Sequence, residues 1–246
     1  MVKLMFSGIL LLILEVTAFA QENILLKEDF KNNKNKWHVQ NDSDFIVYIK
    51  HGVLHLEKLY KNFDRRGCLW YYKNVPGFNT LNNFHIIIYA KYIVGGDGFD
   101  LFDIIWGDKG VLIQNRYNAN IYQMNFLISR GEVRLNHFNM RWDYPPNLNI
   151  KSLLSKEFDA HQINKYEVIQ KDGFIYFLIN DIELLKQSRK PIAGNNIGFQ
   201  QCLKSTWEID KIEIRQKDVI KLTNSDTLKL ITDTTIADKF KLPVNR

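Results

Sequence analysis

Only two cysteines occur in the chain, Cys68 and Cys202, and its six histidines are scattered. No C-x-x-C and no H-E-x-x-H is present, so neither a structural zinc site nor a zincin-type centre is expected. No metal and no cofactor is expected. The two cysteines lie far apart in strand-like segments, and both a disulfide and a pair of buried free thiols remain open. Clustered charge is missing too. The 33 Lys and Arg and 27 Asp and Glu are dispersed, and the formal net charge is +6. No run matches a nucleic-acid-binding module. The surplus reads as a solvated surface with mild attraction to acidic polymers. After the first twenty residues no run is apolar enough to cross a membrane, which takes about 20 such residues.

The start of the chain is different. "MVKLMFSGILLLILEVTAFA" carries Lys3, then an apolar run from Leu4 to Leu14, then Ala18-Phe19-Ala20 before Gln21. That is the layout of a secretory signal peptide, with an A-x-A cleavage site. The expectation is an exported chain of 226 residues (246 minus 20), secreted, periplasmic or at the cell surface. The residue immediately after the cleavage point is Gln21 and not a cysteine, so no lipid anchor is expected. Lys3 and Glu15 cancel, and the exported part keeps the same net charge.

Helical periodicity is nearly absent. One stretch, "NIKSLLSKEF" at 149–158, suggests a short helix. Elsewhere the period is two. "DFIVYIKHGVLHLEKLY" reads as strand, turn at His51-Gly52, strand. "IYQMNFLISRGEVRLNHF" turns at Arg130-Gly131. "KYEVIQKDGFIYFLINDIELLKQ" turns at Asp172-Gly173 and again at Asn180-Asp181. β-Branched and aromatic runs separated by Gly, Asn and Asp predict an antiparallel all-β domain over 21–217. The polar segment 218–246 reads as a tail or linker.

The succession "LKEDFKNNKNKWHV", "FHIIIYAKYIVGGDGFDLFDIIWG", "YQMNFLISRGEVRL", "KYEVIQKDGFIYFLINDIELL" and "NIGFQQCLKSTWEIDKIEI" resembles the concanavalin A-like lectin and glucanase domains of secreted bacterial proteins, the laminin G-like jelly-roll sandwiches. The resemblance covers roughly residues 24 to 216 and is most specific in the 165–185 hairpin and the closing strand. It implies two curved antiparallel sheets and sugar binding as the commonest use. It does not imply one activity, because such folds carry lectins, hydrolases and adhesion modules.

"WEIDKIEI" at 207–214 spaces Glu208, Asp210 and Glu213 as E-x-D-x-x-E, a spacing similar to that of laminarinase-type hydrolases. As a regular strand neither of its faces is clean. A bulge near Asp210-Lys211 repairs this. It turns Trp207, Ile209, Ile212 and Ile214 inward and Glu208, Asp210, Glu213 and Arg215 outward. Three features argue against catalysis. The motif lies in the final strand, whereas the similar hydrolases carry theirs mid-chain. Lys211 stands where those enzymes have an apolar residue. The two Glu Cα atoms are roughly 13 Å apart, while retaining chemistry needs carboxyls about 5–5.5 Å apart. A solvated polar face is expected, and the three acids stay as catalytic candidates only under the enzyme reading.

Candidate ligand contacts are aromatic, because sugar rings stack their C–H faces on Trp and Tyr. Trp70 and Tyr72 share one face of "LWYYKN", and Tyr71 takes the other. Trp106 precedes a glycine at a strand end. Trp142 and Tyr144 lie in the loop "NMRWDYPPNLN", stiffened by two prolines. Asp97, Asp100 and Asp103 of "GGDGFDLFD" lack the D-x-D-x-D-G pattern and distal Glu of a calcium loop. Solvated turn acids are expected there. The leading functional reading is a non-catalytic carbohydrate-binding or adhesion module with a polysaccharide or glycan partner. The alternatives are a glycoside hydrolase of the same fold and an interaction domain without a sugar site.

Overall fold

The structure is a computed structural model that describes residues 22–59, 68–95, 101–108, 112–113, 116–117, 120–128, 131–139, 148–153 and 158–217. The expected signal peptide and tail lie outside them. The strands are β1 (Glu22–Glu28), β2 (Gln40–Asn41), β3 (Phe45–Lys50), β4 (Val53–Lys58), β5 (Leu69–Asn74), β6 (Phe84–Gly95), β7 (Leu101–Asp108), β8 (Leu112–Ile113) and β9 (Arg116–Tyr117). They continue as β10 (Asn120–Leu127), β11 (Glu132–Asn139), β12 (Leu148–Leu153), β13 (Asn164–Lys171), β14 (Phe174–Ile179), β15 (Ile182–Ser188), β16 (Asn196–Gln201) and β17 (Ser205–Lys217).

Two antiparallel sheets result. One has nine strands in the order β15-β14-β13-β6-β17-β4-β3-β2, with β1 also on β17. The other has six, in the order β12-β11-β10-β7-β16-β5, and β8 with β9 makes a separate small hairpin. The order interleaves distant parts of the chain, so the first sheet closes only when its last strand arrives. β17 pairs with β6 along one edge. On its other edge Ser205–Ile209 pairs with β4 and Ile212–Lys217 with β1.

The bulge expected in β17 is present. Ile209 faces Ala90 and Lys211 faces Tyr89, so Asp210 is the extra residue. Trp207, Ile209, Ile212 and Ile214 are fully buried, and Asp210 is exposed. Trp207 stacks on Phe102 of the opposite sheet at 4.1 Å, and Phe126 meets Phe177 and Tyr166 across the same interface. These rings join the two inner faces into one core. The turns follow from local chemistry. Asp172-Gly173 and Asn180-Asp181 all have positive φ, between 50° and 81°, which Asn, Asp and Gly tolerate and a two-residue hairpin requires.

The N-terminal segment is pinned by a buried carboxylate. Glu28 accepts bonds from Trp37 Nε1 at 2.9 Å, Asn35 Nδ2 at 2.6 Å and the Phe30 backbone N–H at 2.9 Å. Asn33 closes the same turn on the Trp37 backbone. One sequence expectation changes. Residues 148–153 form an edge strand on β11, not the start of a helix, with Ile150 opposite Leu135. Pairing with an open sheet edge outweighs local helix preference. The question left open by the cysteines is answered by a disulfide between Cys68 and Cys202. They are one step beyond the Leu69–Gln201 pair of adjacent strands, so sheet register brings them together.

Candidate functional site

The six-stranded sheet packs Phe102, Ile104, Trp106, Tyr122, Met124, Phe126, Val133 and Leu135 into the core. Its other face is polar. There Trp70 (β5), Gln200 (β16), Asp103 (β7), Asn125 (β10) and Arg134 (β11) form one cross-strand row, each backbone paired with the next. Tyr72, Gly198, Ile105, Gln123 and Asn136 form the adjoining row. Period two puts residues of both rows on one side of the sheet.

A hydrogen-bonded ladder connects them. Asn125 Nδ2 donates to Asp103 Oδ1 and Gln123 Nε2 to Asp103 Oδ2, both at 2.5 Å. Gln123 Nε2 also donates to Gln200 Oε1, and Asn136 Nδ2 donates to Asn125 Oδ1. Asp103 is 1% exposed, and its carboxylate has no cation in contact among the described residues. Burial pushes its carboxyl up to about 7, although the bonds from Asn125 and Gln123 pull the other way. At the far end Asn136 Oδ1 is buried with no hydrogen-bond partner among the described residues, a deficit of about 1–3 kcal/mol if left unmet.

At the β5 edge Trp70 is 37% exposed and stacks on Tyr72, with centroids 6.0 Å apart and planes 15° from parallel. Gly198 lies beside them because a Cβ there would sit 2.2 Å from the Tyr71 carbonyl oxygen. The two strands approach too closely for any side chain at that point.

The other sequence candidates separate by location. Trp106 is fully buried and stacks on Tyr122 at 5.4 Å. It alternates with Phe102 and Ile104 on the inner face, so it fills the core and offers nothing to a ligand. Asp103 departs from the expected solvated turn acid: it stands inside β7, buried at the centre of the ladder. Asp97, Asp100, Trp142 and Tyr144 lie outside the described residues. Among the described residues no group of three or more His, Cys, Asp or Glu is arranged to hold a metal ion.

Glu208, Asp210 and Glu213 lie on the outer face of the nine-stranded sheet, but of the three only Asp210 is solvated as expected, Glu208 being half-buried and Glu213 buried. Glu208 meets Lys91 at 2.9 Å and His55 at 3.9 Å. Glu213 lies between Arg215 at 2.5 Å and Lys211 at 3.5 Å. Burial would raise the Glu213 carboxyl, but these two cations outweigh it and hold it below its ordinary value.

Sequence reasoning missed Gln123, Asn125, Asn136 and Gln200. A signal was present in "IYQMNFL", where Gln123 and Asn125 alternate with Tyr122, Met124 and Phe126. Amides in the middle of an apolar strand, all on one face, mark a polar surface on that side.

No protein-family profile matches the chain, and no curated protein matches it in sequence. Solved structures do match in shape. A Bacillus subtilis protein of unknown function with a galectin-like fold superposes with a TM-score of 0.60 at 12% identity, over 80% of this chain and 97% of that one. The catalytic domain of an endo-1,3-β-glucanase (laminarinase) from Thermotoga petrophila gives 0.56 at 9% identity, over 81% and 100%. The Bacillus licheniformis β-glucanase gives 0.54 at 12% identity, over 78% and 98%. Likeness at such identities concerns the fold, and with the two-sheet topology above it means that this chain is a concanavalin A-like jelly-roll sandwich.

Proposed function

We propose that the chain is an exported, non-catalytic carbohydrate-binding or adhesion module whose ligand face is the outer face of the six-stranded sheet. The observation that carries this is the stacked Trp70–Tyr72 pair adjoining the Gln200–Asp103–Asn125 row. The exposed Trp70 ring offers its face to the apolar side of a sugar ring, and the buried polar row beside it ties the strands that carry this platform together. Export is supported by the leader-like start of the chain and by the disulfide, which persists in oxidising compartments.

A glycan array with the exported domain tests the reading. Binding of a defined glycan, lost in Trp70→Ala with the fold intact, is the expected result. Array-wide silence would favour an interaction domain without a sugar site. Two of the fold neighbours are β-glucanases, which makes β-1,3- and mixed-linkage glucan oligosaccharides the first soluble ligands to try.

One observation favours a second reading, a glycoside hydrolase. A carboxyl pushed up to about 7 suits a general acid. Hydrolysis needs two carboxyls, about 5–5.5 Å apart for retention or 6.5–9.5 Å for inversion. Among the described residues the other acid on this face is Glu132. It stands on β11, beyond β10 and in a different row, and bonds to Arg134 at 2.7 Å. Reducing-sugar release from β-glucans by the wild-type domain, abolished in Asp103→Asn, would replace the binding reading with this one.

A further inference from the structure

The nine-stranded sheet carries a cavity of about 280 Å3 where β6 begins. The first residue of β6, Phe84, pairs with Gln170 of β13 on one side and with Gln216 of β17 on the other. Both neighbours run one residue further, to Lys171 and Lys217. A notch opens between them at Asn83, whose carbonyl oxygen accepts from the Lys217 N–H at 3.3 Å. Gln170 Nε2 pins the incoming chain through the carbonyls of Thr80 and Asn82, at 2.7 and 2.6 Å. We propose that this cavity binds one neutral sugar unit, so that the domain holds glycan on both of its sheets.

Each wall of the cavity carries one cation and one anion. Lys217 and Glu22 are cross-strand partners on β17 and β1, and Lys171 and Asp172 are consecutive where β13 turns into β14. All four line the cavity and are exposed, so a ligand reaches them from solvent. The backbones of β13 and β17 are two strand spacings apart, about 9.6 Å. The floor is the cross-strand pair Ile169–His85, an apolar side chain beside a flat ring. His85 Nε2 meets Glu167 Oε1 at 2.9 Å, which fixes the orientation of that ring.

The mixed lining selects against ions. A lone anion or cation meets both signs on each wall and gains little. A hydroxyl both donates and accepts, so beside an ammonium and a carboxylate it does both, and bonds to charged partners are the stronger kind. A sugar ring has hydroxyls around its rim and C–H groups on its faces. Its rim matches the two walls and one face matches the floor. The cavity lies just below the roughly 300 Å3 at which pockets begin to enclose drug-sized ligands, which sizes it for one ring at a chain end or branch. It stands apart from the surfaces described above, on the sheet opposite Trp70 and at the other end of β17 from Glu208. Sites on the outer faces of two packed sheets point away from each other, so one domain can bridge two glycans.

Amide NMR of the exported domain tests this with glucose, galactose, mannose, xylose, fucose and N-acetylglucosamine, each titrated into the millimolar range. At least one should shift the signals of Asn83, His85 and Gln170 saturably, and the shifts should persist in Trp70→Ala. Lys217→Ala and Asp172→Gly should each weaken that binding about tenfold, because each removes a hydrogen bond to a charged group. Asp172→Gly keeps the positive φ of the turn, and an unchanged spectrum elsewhere shows that the fold is intact. The proposal is overturned if no sugar of the panel shifts these signals, or if binding is unchanged in either variant. Shifts that vanish in Trp70→Ala would place the sugar on the platform and not in the cavity. Tighter binding of sodium sulfate or glycine betaine than of every sugar would make this an ion or zwitterion site and overturn it as well. The two sites fail separately: a silent glycan array with persistent cavity shifts sinks the Trp70 platform alone, and array binding without cavity shifts sinks the cavity alone.

Discussion

On the outer face of the nine-stranded sheet Glu208 meets Lys91, and Glu213 lies between Arg215 and Lys211. On the outer face of the six-stranded sheet Asp103 meets, among the described residues, amides alone. Both surfaces alternate with the same core, and both carry acids on central strands. The difference lies in how each charge is compensated. Cations hold the Glu213 carboxyl below its ordinary value, whereas burial raises the Asp103 carboxyl to about 7. A paired acid is explained by stability and solubility. An acid kept in a buried site without a counter-charge weakens the fold, and such sites are where function is sought.

The comparison depends first on the polar face being held in place. The Cys68–Cys202 bridge ties β5, which carries Trp70, to the end of β16, which carries Gln200. Replacing both cysteines with alanine should lower unfolding free energy by about 4–5 kcal/mol in the chain-entropy picture of a long closed loop. Denaturant titration against the wild type measures it. An effect below that of any single charge variant on the other sheet would mean that register alone fixes the polar face. Next in size is the core beneath both faces: Ile212→Ala should cost about 2–5 kcal/mol, because the side chain is fully buried.

The two acids should then pull stability in opposite directions with pH. The folded Asp103 binds its proton more tightly than the unfolded chain does. Its contribution is fully present below its unfolded value of 3.8 and is lost as pH rises through about 7. The loss is up to about 4 kcal/mol, from roughly three pKa units at 1.36 kcal/mol each. Glu213 behaves in the reverse sense. Its stabilisation is present above its ordinary value of 4.5 and is lost as pH falls through its depressed folded value. Melting curves of Asp103→Asn and Glu213→Gln between pH 3 and pH 9 check both signs. Asp103→Asn should flatten the decline towards neutral pH, and Glu213→Gln should flatten the decline in acid. Equal behaviour of the two variants would erase the distinction between the faces.

How much of this the sequence carries depends on whether a feature is local. The β17 bulge is legible because Trp207, Ile209, Ile212 and Ile214 can share one face only if a residue is inserted between Ile209 and Ile212. The hairpins at Asp172-Gly173 and Asn180-Asp181 are legible because those residues accept positive φ. The burial of Trp106 was within reach from its alternation with Phe102 and Ile104. The ladder was not. Gln123 finds Asp103 at a separation of 20 residues and Gln200 at 77, and nothing local specifies the register of β7, β10 and β16. The disulfide is hidden for the same reason. The strand at 148–153 takes its conformation from the β11 edge, which a window of ten residues does not contain.

Trp70 sharpens the comparison from the ligand side. Its exposed ring rests on Tyr72 and not on the core, so Trp70→Ala should change stability by no more than about 0.5 kcal/mol while weakening glycan binding at least about tenfold. Calorimetric titration beside a melting curve separates the two. A variant that loses both binding and stability would show that the Trp70–Tyr72 stack belongs to the fold.

The smallest effect is expected at "WEIDKIEI". Glu208→Gln removes one side of a partly exposed pair with Lys91 and a longer contact with His55. Such pairs contribute about 0.2–1 kcal/mol and weaken with salt. The loss should therefore shrink further in 1 M NaCl, and glycan binding should not change, because Glu208 lies on the sheet opposite the amide ladder. Denaturation at two salt concentrations and one binding isotherm suffice. A loss of several kcal/mol would mean that this outer face is as tightly constrained as the ladder. A loss of binding or hydrolysis with the fold intact would transfer the functional site to the nine-stranded sheet, which carries the E-x-D-x-x-E spacing.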